Sequence, residues 1–292
     1  MAMYGQVTGW RNGCFHETWK LRFDEETMRE QAASDDQLAR RIRQARETLK
    51  AFEASDSDLP RELVASDSSR GVEAPPLEHP IPAGAVTIGL PPIDQLELGT
   101  MPLVNVLSKR RSRRLFSDVW LSLEELSYLC WAVAGVHTVA PRNLWSMRTS
   151  PSRGGRHPFE TYLVIERVTG VTPGIYRYSA LHHQLVLVRE EPGICVRLSE
   201  KAVQGFVQQC AVLFVWTVVP YRAEWKYSFA GAKEMAIDIG HYCQNLYLAA
   251  ESIGAGTCAL AAYDQETLDK TLGVDGEDEF TIYVSPVGKI EI

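Results

Sequence analysis

The sequence predicts an α+β fold, and three observations predict it. Gly174 to Tyr178 (GIYRY) and Gln184 to Arg189 (QLVLVR) alternate apolar and polar residues around a short SALHH turn, the pattern of a β-hairpin. Lys233 to Ile253 carries Met235, Ile239, Cys243, Leu246, Ala250 and Ile253 at helical spacing, which makes a long helix with one apolar stripe. Hairpins and helices are interspersed along the chain, a poor match to a strict βαβ alternation.

The elements follow in order. Asp35 to Phe52 places Leu38, Ile42, Ala45, Leu49 and Phe52 on one face of a surface helix, with Asp35 or Asp36 as its N-cap. Residues 55–105 are rich in Ser, Asp, Pro and Gly and read as a linker, a wrapping arm or a lid. Leu103 to Lys109 reads as a short helix. Ser122, with Glu125 three residues on, is a capping box that opens a helix closed by Gly135. Thr161 to Glu166 (TYLVIE) is a buried strand, and Cys210 to Val219 is a central one, rich in Val, Leu, Phe and Trp. Gly254 stops the long helix, Thr267 to Leu272 is a short helix, and Thr281 to Val287 is a last strand. The expected division is 1–101, a helical extension and arm, and 102–292, the main domain.

Composition narrows the function. The 292 residues are 45% hydrophobic and 23% charged with a net charge of −7, which disfavours a general nucleic-acid role and leaves ample core. The six cysteines form no CxxC pair, and no His/Cys cluster has metal-ligand spacing, so reduced thiols and no metal are expected. No segment is long and apolar enough to span a membrane, and MAMYGQVTGWRNGCF lacks a signal peptide's apolar core. A cytoplasmic protein is the expectation.

Against that acidic background stands KRRSRRLF, Lys109 to Phe116, where five cations surround Ser112. Forked guanidinium donors beside a hydroxyl suit a phosphate, although such a run is also what a solvated basic face looks like. The loop SPSRGGRHPFE, Ser150 to Glu160, precedes a strand. Its Gly154 and Gly155 admit close backbone approach to a flat ligand, with Arg153, Arg156 and His157 as added donors; an ordinary turn is the plainer reading. Gly254-Ala255-Gly256-Thr257 has half of a dinucleotide fingerprint, but it follows a helix instead of opening one, so a Rossmann site is excluded. Lys226 beside Tyr227 could lower the phenol's pKa and make a proton acceptor, while a bare Lys-Tyr pair usually lies on a surface. His241 reads as a buried, hydrogen-bonded histidine.

Five segments in this order resemble the nitroreductase-like flavoenzymes: KRRSRRLF; RTSPSRGGRHPFETYLV; PGIYRYSALHHQL; KYSFAGAKEMAIDIGHYCQNLYLAAESIGAGTCAL; and YVSPVGK. The resemblance runs from Pro102 to Lys289 and is strongest to the SagB-type branch, which includes azoline dehydrogenases; FHETWK, Phe15 to Lys20, adds a fainter echo. It implies a central, mainly antiparallel sheet flanked by helices, non-covalent FMN, and a homodimer with FMN at the interface. It also implies a site. Arg110, Arg111, Ser112 and Arg114 would hold the phosphate and ribityl chain. Pro151, Ser152, Gly154 and Gly155 would lie along the ring, the amides of Gly254, Gly256 and Thr257 at its other edge, and Lys289 near the phosphate. Lys226 and Tyr227 would be the base. The pattern departs at Gly155, where many nitroreductases carry Asn, and past Lys289, where they continue into a tail; the N-terminal arm is expected to take over that tail's role.

The implied activity is an FMN-dependent dehydrogenase acting on a heterocycle or a C–C/C–N bond of a peptide-derived or small substrate. The alternatives are a nitro- or quinone reductase with NAD(P)H as co-substrate, and a non-catalytic scaffold that stays colourless even with added FMN.

Overall fold

The computed structural model describes residues 25–50 and 65–290; FHETWK, Cys14 and Phe52 lie outside them. The chain divides into two compact units, 1–50 and 51–292. The first contains α1 (Glu25–Thr48), which starts ten residues before Asp35. The aspartates therefore lie inside the helix and are not its N-cap, because Glu25 to Ala33 contains no Gly or Pro to end it. Leu38 and Ile42 on its apolar face, and Leu49 just after its end, are exposed.

The second unit is built on one seven-stranded sheet in the order β1-β6-β5-β4-β7-β9-β8, antiparallel at every pairing. Its strands are β1 (Thr87–Gly89), β4 (Phe159–Ile165), β5 (Gly174–Ser179), β6 (Gln184–Glu190), β7 (Val212–Val218), β8 (Ala255–Thr257) and β9 (Phe280–Lys289). A separate hairpin pairs β2 (Val136–Val139) with β3 (Ser146–Arg148). The predicted hairpin is β5–β6, and the predicted central strand is β7, buried along its whole length between β4 and β9.

Strand periodicity sorts the core into two layers. Phe159, Leu163 and Ile165 of β4, with Phe214 and Trp216 of β7, pack under α3 (Leu123–Ala134) and α6 (Gly231–Ser252). The alternate residues Tyr162, Val164, Leu213 and Val215 face the opposite layer, formed by α4 (Ile194–Lys201) and α7 (Gln265–Leu272). The capping box is present: Ser122 Oγ accepts the Glu125 N–H at 3.1 Å, and Glu125 accepts the Ser122 N–H at 3.0 Å. The short helix α2 (Leu103–Lys109) has the predicted bounds.

One segment differs from expectation. YRAEW, whose polar residues after an apolar strand predict a turn, lies in α5 (Tyr221–Tyr227), which starts after Pro220, a residue whose fixed φ suits a helix start. The described part of the arm is a wrapping element. Leu77 and Leu90 are buried, β1 extends the sheet beside β6, and Glu78 accepts hydrogen bonds from Ser179 Oγ (2.6 Å) and from the amides of Ala180 (3.0 Å) and Leu181 (3.2 Å). Among the described residues, no helix is long and apolar enough to cross a membrane, and no cluster of His, Cys, Asp and Glu is placed to hold a metal.

Candidate active site

Helix α6 organises the site. On one face, Glu234, Asp238, His241 and Asn245 follow one another at steps of three and four residues, which stacks them in a row. That row grips the Ser150–Arg153 loop. Glu234 pairs with the Arg153 guanidinium, and Asp238 accepts the Arg153 N–H at 3.1 Å. His241 Nδ1 lies 3.3 Å from the Pro151 carbonyl oxygen, and Asn245 Nδ2 donates to Ser150 Oγ at 3.0 Å and to the Thr149 carbonyl at 3.2 Å. His241 is half-buried at the rim, not enclosed as expected. Burial raises the Asp238 pKa against the opposing pull of Ser152, the Arg153 amide and His241.

The basic cluster docks on another side of the same helix. Arg110 lies over the Tyr247 ring, 5.2 Å from its centroid, and Ser112 Oγ is 3.1 Å from Tyr247 Oη. Arg113 Nη2 is 4.0 Å from Glu251 Oε2. At about 100° per residue, Tyr247 points about 160° and Glu251 about 120° away from Asn245. The Arg113 N–H donates to the Thr257 carbonyl at 2.9 Å, so the cluster lies along the edge strand β8. Arg111 and Arg114 are exposed; Arg111 bonds only the Ser108 and Arg110 carbonyls, and Arg114 lies 6.0 Å from the centroid of the Phe206 ring. Among the described residues, the buried Arg113 Nε has no hydrogen-bond partner. A cleft of about 690 Å³ opens between Ser112–Ser117, Gln209 and Ile290.

Gly254 ends α6 in the left-handed conformation (φ 66°), as expected. The rest of the glycine segment is the strand β8, and Gly256 is there for space: a Cβ would lie 2.6 Å from Arg113 Cγ. The buried Thr257 hydroxyl turns inward to the Pro286 carbonyl (2.8 Å) and Ser285 Oγ (2.7 Å). Lys289 Nζ pairs with Glu125 and donates to the Ile253 carbonyl at 2.8 Å.

The Lys-Tyr pair meets the glycine loop. Lys226 and Tyr227 end α5, and Gly154 lies against both. Its φ is 65°, and a Cβ there would collide with Tyr227 Oη and come within 2.9 Å of Lys226 Nζ. The Arg153 guanidinium covers the Tyr227 ring at 4.5 Å, and Lys226 Nζ is 5.7 Å from the ring centroid. A cleft of about 590 Å³ is walled by Trp145, Met147, the Ser150–Gly155 loop and Lys226. The expected lowering of the phenol's pKa is corrected: burial raises it, Glu234 and Asp238 add to the rise, and Arg153 and Arg156 oppose it without reversing it.

Arg156 and His157 are likewise corrected as ligand donors. Both are buried, and their donors turn inward to backbone carbonyls and to Tyr242. Sequence reading missed Asp238, Asn245 and Tyr247. The available signal was their polar spacing beside the apolar stripe of α6.

Comparison with known proteins places this architecture. The nitroreductase family model matches residues 107–289. Over 203 residues the chain is 30% identical to the Methanocaldococcus jannaschii protein MJ1384, which carries a nitroreductase name; the match covers 69% of this chain and 96% of that one. It is 26% identical over 135 residues to the trifolitoxin-processing protein TfxB of Rhizobium leguminosarum bv. trifolii, covering 43% of this chain and 35% of TfxB. Among solved structures, a protein of Ralstonia eutropha JMP134 with a nitroreductase title superposes with a TM-score of 0.59 at 28% identity, over 75% of this chain and 98% of that one. A chain of the E. coli microcin synthetase McbBCD complex, with truncated pro-MccB17 bound, superposes with a TM-score of 0.51 at 19% identity, over 83% and 85%. The fold and family are those of an oxidoreductase. The chain belongs to the nitroreductase family.

Proposed function

We propose that this chain is an FMN-dependent dehydrogenase of the SagB type, oxidising a heterocycle or a C–C/C–N bond of a peptide-derived or small substrate, with Lys226 and Tyr227 handling the proton. One observation carries the reading: the glycine loop meets Lys226 and Tyr227, 72 and 73 residues further on, at Gly154, beside a cleft that Lys226 lines. The name of TfxB and the pro-peptide held by the microcin synthetase complex support a peptide-derived substrate.

The donor set fits FMN. Ser112 and Arg114 line a cleft together with Arg113, whose Nε is orphaned among the described residues, and Arg110 and Arg111 directly precede them, so the segment offers a phosphate several cationic donors. Pro151, Ser152, Gly154 and Gly155 present the backbone to the ring, and Gly254, Gly256 and Thr257 line the opposite edge through main-chain atoms, since the Thr257 hydroxyl is engaged. Lys289 acts from behind this edge, tied to Glu125. The loop and the basic cluster dock on different sides of α6, an arrangement in keeping with a homodimer that holds FMN at its interface.

When bound, FMN supplies the two-electron chemistry. The chain's own task is the proton that leaves the substrate. Tyr227 accepts it as a phenolate, a form favoured by the Arg153 cation over its ring and opposed by burial. That opposition favours a second reading, in which the protonated Tyr227 donates to a nitro or quinone acceptor and NAD(P)H supplies the electrons.

An absorbance spectrum and mass spectrometry of the heat-released ligand test the cofactor. Fast bleaching of the flavin by NADH or NADPH selects the reductase. A stable flavin spectrum, with turnover of an azoline-containing peptide lost in Tyr227→Phe while FMN is retained, selects the dehydrogenase. A protein that stays colourless after FMN addition overturns both.

A further inference from the structure

The short helix that carries Lys226 and Tyr227 cannot position itself. Seven residues are too few for a self-sustaining helix, so α5 sits where its tertiary contacts put it. Those contacts converge on a buried arginine of the glycine loop. Arg156 is 1% exposed, and its guanidinium is spread over separate chain segments. Nε donates to the Arg222 carbonyl of α5 at 3.0 Å, Nη1 to the Leu144 carbonyl in the β2–β3 turn at 2.7 Å, and Nη2 to the Pro75 carbonyl of the arm at 2.8 Å. The group also lies over the Trp225 ring of α5, 5.0 Å from its centroid.

Each of these hydrogen-bond acceptors is a backbone carbonyl; no carboxylate is among them. Holding a cation in such a place is costly, and burial together with neighbouring Arg222 lowers its pKa to about 10. What the guanidinium supplies there is a rigid planar fork with donors in three directions, which an ammonium cannot reproduce. The other ties of α5 extend the same clamp: Trp225 Nε1 donates to the Val72 carbonyl at 2.9 Å, and Tyr221 Oη donates to Asp67 Oδ2 at 2.8 Å, both in the arm.

We propose that Arg156 is a positioning residue, a buried fork that fixes the Lys226–Tyr227 helix against the Ser150–Gly155 loop by joining both to the arm and the β2–β3 turn. This rests on the Lys-Tyr reading of the site, but its test does not. Amide hydrogen exchange is followed in the full chain loaded with FMN, in wild type, Arg156→Lys and Arg156→Met. Exchange of the Trp225, Lys226, Tyr227 and Gly155 amides is expected to rise at least about tenfold in Arg156→Met and less in Arg156→Lys, with the β7 amides unchanged. With an azoline-containing peptide as the turnover probe, or NADH and menadione where NADH bleaches the flavin, kcat falls about 100-fold while KM stays within a few-fold, the response to about 1 Å of misplacement.

Unchanged exchange in α5 overturns the proposal. So does an equal rise in β7, which marks Arg156 as a general stabiliser. Should neither Arg156 variant fold, Trp225→Leu removes the ring under the guanidinium, and unchanged α5 exchange there overturns it as well. If Tyr227→Phe turns over like wild type, the Lys-Tyr chemistry fails, and the exchange data still decide what holds the helix.

Discussion

Replacing Gly154 by alanine tests whether the meeting of loop and Lys-Tyr pair matters. The substitution carries two costs that can be separated. At φ 65° the added Cβ places a non-glycine residue in the left-handed region, worth about 1–2 kcal/mol. It also drives a carbon into Tyr227 Oη and to 2.9 Å from Lys226 Nζ. The lysine end can swing away. The tyrosine ring cannot do so freely, because Arg153 covers it at 4.5 Å and is itself paired with Glu234. Restoring an ordinary contact of about 3.5 Å requires Tyr227 to move by about 1 Å, a displacement that costs about 100-fold in rate where geometry governs turnover. Thermal unfolding of the FMN-loaded variant is expected about 2–8 °C below wild type, with turnover down about 100-fold. Gly170→Ala is the control. It has φ 79° and open space around the new Cβ, so it carries the backbone cost alone and leaves turnover intact. A folded, flavin-loaded Gly154→Ala with wild-type turnover refutes the reasoning.

Other outcomes follow from the same structure. Arg111→Ala removes an exposed cation that bonds only two carbonyls, so FMN affinity drops at least about tenfold with the melting temperature unchanged and riboflavin affinity unaffected; equal losses for FMN and riboflavin would remove the phosphate role. In the dehydrogenase reading, the raised phenol pKa means that the accepting phenolate grows with pH, so kcat keeps climbing through pH 10; a plateau near pH 7 excludes Tyr227 as the base. Glu160 is buried between Arg222 (2.6 Å) and Arg177 (3.2 Å). Burial alone raises its pKa, but Arg222, Arg177 and His79 outweigh that, and the net shift is downward. Its stabilisation is therefore present above the unfolded carboxylate pKa and lost as pH falls through the lower folded value. Denaturant titration of Glu160→Gln should show a loss of about 3–5 kcal/mol at neutral pH that narrows in acid.

Much of the scaffold was legible because it is written in local periodicity. The alternation in QLVLVR, the 3.6-residue stripe from Met235 to Ile253, the Ser122–Glu125 capping box and Gly254 as the stop of α6 each depend on residues within a few positions of one another. Two short elements were not legible in the same way. The helix over YRAEW and the strand over Ala255–Thr257 are three to seven residues long, too short for a pattern, and they exist because Trp225 reaches the arm and β8 pairs with β9.

The candidate site divides along the same line. Sequence by itself singled out the candidate residues: the basic cluster, the glycine loop and the Lys-Tyr pair each announce their chemical type. Only the tertiary structure decided what those groups face. It turned Arg156, His157 and the Thr257 hydroxyl inward, tied Lys289 to Glu125, and raised the Tyr227 phenol that its neighbour Lys226 was expected to lower. The physical reason is that a side chain's direction and desolvation are set by segments distant in sequence. Gly154 meets Tyr227 across 73 residues, and no local pattern encodes the carbonyls that surround a buried guanidinium.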